Sequence, residues 1–135
     1  MAYKTIEIEG IGESYARKLE QAGVKTTDDL LTMCATPRGR AKLADETGIS
    51  SKLILKWTNH ADLFRIKGVA GQFAELLEAA GVDTVKEFAH RVPANLQPKL
   101  VAVNEEHGLC NRVPSLSEVE KMIAQAKELP PAISY

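Results

Sequence analysis

The side chains able to do acid–base, nucleophilic or metal chemistry are few in this sequence, and they are scattered. His60, His90 and His107 are dispersed, and none stands beside a cysteine or carboxylate at metal-ligand spacing. Cys34 and Cys110 lack the Cys-x-x-Cys pattern and are expected to be reduced, buried, small apolar residues. Asp28-Asp29, Asp45-Glu46 and Glu105-Glu106 are adjacent pairs on expected helices. Helical neighbours point about 100° apart, so such pairs do not converge on a substrate. No nucleophile elbow and no phosphate-cradling Gly-Lys loop occurs. The expectation is therefore a protein that is not an enzyme, with no catalytic residue, no metal, no cofactor and no small-molecule substrate. The chemistry that is left is electrostatic. A glycine turn running into a helix presents unpaired N–H groups and the positive end of the helix dipole, which together attract an anion.

Two such turns are present, because the sequence repeats itself. Shifted by 58 residues, IEGIGESYARKLEQAGVKT from Ile8 matches IKGVAGQFAELLEAAGVDT from Ile66. Ile8, Gly10, Ala16, Leu19, Glu20, Ala22, Gly23, Val24 and Thr26 meet identical residues in the second copy. That is nine identities in nineteen columns without a gap, too many for chance. Each copy predicts a tight Gly-apolar-small turn, then a helix with apolar residues at helical spacing. The apolar faces are Tyr15, Ala16, Leu19 and Ala22 in one copy, and Phe73, Ala74, Leu77 and Ala80 in the other. Gly23 and Gly81 should end those helices. Thr26 with Asp29, and Thr84 with Glu87, have the spacing of capping boxes for short second helices.

Longer helices follow in both halves. Thr36-Pro37 should open one that Gly48 closes, and Ser50 should cap the next, to about Ala61. In the second half helices are expected from Pro93 to about His107 and from Ser117 to Glu128, with Pro130-Pro131 as the stop and frayed residues beyond. No segment alternates with period two, so no sheet is expected. The fold class is all-α: about eight helices around one shared core, with repeat 1 at 1–63 and repeat 2 at 64–135. Leu19, Leu30, Leu43, Leu53, Trp57, Leu77, Phe88, Leu100, Val119 and Ile123 are the expected core. The last helix has no counterpart before the first turn, and we expect it to pack beside that turn, within one chain or by exchange in a dimer.

The segments GIGESYARKLEQAGVKTTDDLL and KGVAGQFAELLEAAGVDTVKEF resemble the helix-hairpin-helix superfamily, whose members include DNA repair proteins, ligases, nucleases and recombinases. The whole arrangement, with GR-x-KLA and RIKGVAG, is similar to an uncharacterised bacterial family of tandem helix-hairpin-helix proteins. The resemblance implies all-α repeats whose hairpin N–H groups hold a DNA phosphate. Matched by position, the phosphate-facing residues are Gly10, Ile11 and Gly12, with Arg17 and Lys18 one turn on, and Gly68, Val69, Ala70 and Gly71, flanked by Arg65 and Lys67. Such contacts position a duplex without reading its sequence. Glu7, Glu9 and Glu13 ring the first turn, which makes the second the better expected anion site.

Charge weighs the other way. The net charge is −1, and neither half carries a basic excess. The second expectation is therefore a scaffold that binds a protein partner or a second copy of itself through structural hairpins. The run KLADETGISSKLILKW resembles a helix-turn-helix, although its counterpart in repeat 2 is broken by NRVPS. The densest basic cluster is Arg38, Arg40, Lys42, Lys52, Lys56 and His60. Without an apolar stretch of membrane-spanning length or an export signal, the expected location is the cytoplasm.

Overall fold

Each helix starts and stops on residues whose backbone preferences set the boundary. The structure is a computed structural model that describes residues 3–135. A short 3₁₀ turn, Thr5–Glu7, leads into α1 (Glu13–Gln21) and α2 (Thr27–Cys34), followed by α3 (Pro37–Thr47) and α4 (Ser51–Leu63). The second half holds α5 (Gly71–Ala79), α6 (Val85–Ala89), α7 (Pro93–His107) and α8 (Leu116–Glu128). Thr26, Thr36, Ser50, Thr84 and Ser115 each accept a backbone N–H at the start of α2, α3, α4, α6 and α8. The Thr26–Asp29 capping box is complete. Its counterpart is half made, because the Glu87 carboxylate accepts a hydrogen bond from the Thr84 hydroxyl and not from the Thr84 N–H. No helix among the described residues is long and apolar enough to cross a membrane, and none of those residues lies in an extended strand.

The repeat is built into the backbone. Bounds of α1 and α5 lie 58 residues apart at both ends. Gly10 and Gly68 turn through φ of 93° and 95°, while Gly23 and Gly81 end the helices at 92° and 91°. Only glycine takes that left-handed backbone without strain. The bounds of α4 and α8 instead lie 65 residues apart, because repeat 2 carries seven extra residues between its turn and its last helix. Within each repeat the last helix packs on the second and third: α4 on α2 and α3, α8 on α6 and α7. One continuous apolar core results. Of the ten expected core residues, Leu53 alone is only partly buried.

Two expectations about the C-terminus are corrected. Helix α8 backs the second turn, not the first: the Gln125 side-chain oxygen accepts the Lys67 N–H at 3.0 Å. A Cβ on Gly68 would meet Met122 Cε at 3.0 Å. The first turn is backed by its own repeat, where Trp57 Nε1 lies 3.9 Å from the Cβ position of Gly10. The seven-residue insertion hides this equivalence in an ungapped comparison. Nor do the last residues fray. Ser134 donates to the Ala35 carbonyl at 2.7 Å and accepts from Arg40 at 2.9 Å, and the Tyr135 hydroxyl donates to Asn59 at 2.6 Å. The end of repeat 2 is thereby clasped onto repeat 1.

Candidate functional site: two glycine turns

The first turn is open. Ile11 points inward and is 4% exposed, so the apolar residue of the triplet anchors the loop in the core. Gly10, Gly12, Glu13 and Ser14 are exposed around it. No side chain caps α1 at Gly12, so its leading N–H groups face solvent without an intrahelical partner. Arg17 and Lys18 lie on the next turn. Arg17 reaches Glu13 at 3.8 Å with both side chains more than three-quarters exposed, a pair that is worth little in water. The Lys18 ammonium sits 6.0 Å from the Tyr15 ring centre, and Tyr15 packs edge-on against Trp57 at 5.0 Å. Of the ringing carboxylates, Glu7 is turned back to accept the Lys4 N–H at 2.7 Å, while Glu9 and Glu13 remain exposed.

The second turn has the same backbone but is more enclosed. Val69 is fully buried, and so is Gly71, the first residue of α5. The Glu7 carbonyl and the Glu9 side chain face Gly71, and Met122 and Gln125 of α8 lie beside Gly68 and Lys67, which stay exposed. Arg65 is already engaged: its Nε donates to Asp62 at 2.6 Å and its guanidinium to the Pro130 carbonyl at 3.0 Å. Burial raises the Asp62 carboxyl above its ordinary range, and the facing Arg65 charge only partly offsets this. Ala70 and the Lys67 side chain remain exposed. Between the second turn and the 3₁₀ segment of repeat 1 lies a cleft of about 480 Å³, whose lining includes Glu7, Glu9, Ala70, Gly71, Gln72 and Arg112. Arg112 is held bidentately by Glu118, with both contacts at 2.8 Å. The second turn is thus the more enclosed of the two, chiefly at Gly71.

A protein-family model matches residues 9–129, from the first turn to just beyond α8. The chain belongs to the DUF4332 family, a domain of unknown function. No curated protein and no solved structure matches it.

The basic cluster read from the sequence is not a surface in this DUF4332 chain. Arg40 is 6% exposed and donates to the carbonyls of Cys34 and Ser134. His60 is 1% exposed, and Lys56 faces Glu75 and Glu78. Arg38, Lys42 and Lys52 are left on the outside. The grouping that sequence reasoning missed is the one around His60. Its partners Glu75 and Glu78 come from the other repeat, so no linear spacing announces them. The one available signal is the i,i+3 spacing of the two glutamates, which sets both on one face of α5.

Proposed function

We propose that this DUF4332 chain is a helix-hairpin-helix protein that holds a nucleic-acid phosphate backbone, DNA in the first instance, at its first glycine turn without reading base sequence. The observation that carries this reading is the contrast in capping. Five helices have a Ser or Thr at the cap, and α7 opens on Pro93, whose missing N–H needs no partner. The two helices that follow the glycine turns have neither. At α1 those bare donors are exposed beside Arg17 and Lys18, the combination that suits a phosphate oxygen. In this reading the second turn is mainly a packing device that fixes the spacing of the repeats, with Lys67 and Ala70 as peripheral contacts.

The test is fluorescence anisotropy with mixed-sequence duplex and single-stranded DNA across a salt series. Affinity should fall steeply with salt and be indifferent to sequence. Arg17→Glu with Lys18→Glu should weaken it more than Lys67→Glu does. Absence of binding at about 50 mM salt, where such contacts are strongest, refutes the proposal.

A scaffold role is the second reading, and one observation favours it. Ile6, 44% exposed, lines the cleft together with the exposed Glu7 and Glu9. An acidic rim around an apolar residue fits a basic protein surface better than a phosphate. A bound protein, or concentration-dependent self-association in sedimentation, that is lost on Ile6→Asp while DNA fails to bind would favour that role.

A further inference from the structure

We infer that His60, Glu75 and Glu78 form a binding site for a divalent transition-metal ion of the zinc class, set at the seam between the two repeats. His60 comes from α4 of repeat 1, and both glutamates come from α5 of repeat 2. One ligand atom from each, an imidazole nitrogen and two carboxylate oxygens, lies within 4.8 Å of the others. One imidazole and two carboxylates make a mixed nitrogen and oxygen donor set that borderline cations accept, with a position open to water.

Burial sharpens the case. His60 is 1% exposed, and its Nε2 lies 2.6 Å from Glu78 Oε2. His60 Nδ1 and Glu75 Oε2 are both buried without any hydrogen-bond partner. A buried carboxylate oxygen left unpaired is costly, and a metal bond is one of the few ways to satisfy it. The imidazole nitrogen that takes the ion must be unprotonated, so any proton it carries passes to the other ring nitrogen or to solvent.

Charge points the same way. Lys56 Nζ stands 3.4 Å from Glu78 and 3.9 Å from Glu75. Asp83 adds a third carboxylate beside the group. Glu75 and Glu78 against the single Lys56 leave the group on the acidic side, which favours a cation. The corresponding positions on α1 are Arg17 and Glu20, so repeat 1 does not reproduce the site. It belongs to the seam, where an ion would tie α4 to α5.

The experiment uses the full chain freed of metal by a chelator, then titrated with Zn²⁺ by calorimetry and with Co²⁺ by visible absorption. One equivalent should bind saturably and raise the Tm, as any ligand specific to the folded state does. Glu75→Gln with Glu78→Gln should weaken binding at least about tenfold, given that even outer-shell changes cost that much. Lys56→Met should tighten it by removing the competing ammonium. If the double variant loses its helical circular dichroism, Glu75→Gln alone takes its place, because that side chain is partly exposed. No saturable binding up to about 1 mM, weaker than any useful site, overturns the proposal. So does one-equivalent binding that the glutamate substitutions leave unchanged.

Discussion

Gly71 lies so close to the backbone of Glu7 that a Cβ at this position would come well inside 3 Å of the Glu7 carbonyl oxygen. Here the opening segment of repeat 1 meets the first residue of α5 in repeat 2. On an exposed helix, Gly→Ala gains up to about 1 kcal/mol. Forcing a methyl against backbone that cannot swing aside costs about 1–3 kcal/mol. The steric term wins, so Gly71→Ala should destabilise by roughly 1–2 kcal/mol, read as a lower urea midpoint with an unchanged slope. A neutral or stabilising result would mean that the repeats slide apart freely at this contact.

The clasp at the other end makes a second prediction. Removing residues 133–135 takes from the buried Arg40 guanidinium the Ser134 carbonyl, leaving it the Cys34 carbonyl. Loss of a partner by a buried donor costs about 1–3 kcal/mol, so the shortened chain should still fold but melt lower. Removing 116–135 should prevent folding altogether. That deletion strips Val119, Met122, Ile123 and Ala126 from the core and uncovers the second turn. A cooperative melt in that truncation would refute the packing role given to α8.

The two cysteines should separate by reactivity. Burial pushes both thiols above their ordinary range. Cys34 is fully buried, whereas Cys110 is only partly so. In a labelling time course with a chromogenic disulfide, Cys110 should react first. Cys34 should wait for global unfolding, at a rate that urea accelerates. Equal rates for the two thiols would contradict this burial.

Glu118 gives the pH prediction. The bidentate Arg112 guanidinium holds its carboxyl down at about 2, from an ordinary 4.5, and the Ser115 N–H adds to the effect. A carboxyl lowered in the folded state stabilises it fully above the unfolded value, and that contribution fades as pH falls from about 4.5 towards 2. Both side chains are solvated, so the gain in stability is small. An NMR titration should find the Glu118 midpoint near 2, and Arg112→Ala should return it most of the way to 4.5. A midpoint that ignores the substitution would assign the effect to the helix cap alone.

The legibility of this chain follows its punctuation. Gly10, Gly23, Thr26 and their copies mark boundaries through local backbone physics, so helix number, helix bounds and most of the core could be read in advance. What failed were inferences about surfaces from residue type. Arg40 and His60 are polar residues in the interior, held by partners 94 and 18 positions away, and no local pattern foretells such partners. The placement of α8 is not legible in the sequence because the insertion breaks the register of the repeat after α6. The openness of the two turns depends on Glu7 packing against Gly71, a contact between repeats that neither repeat encodes alone.

The bond between Arg40 and Ser134 also has a consequence in time. At a synthesis rate of roughly 5–20 residues per second, about 5–20 seconds separate the two residues on the ribosome. Throughout that interval the first repeat exists without the carbonyl that its buried guanidinium needs. Arg40 therefore reaches its fully bonded, buried state late, because one of its two carbonyl partners lies 94 positions further along the chain.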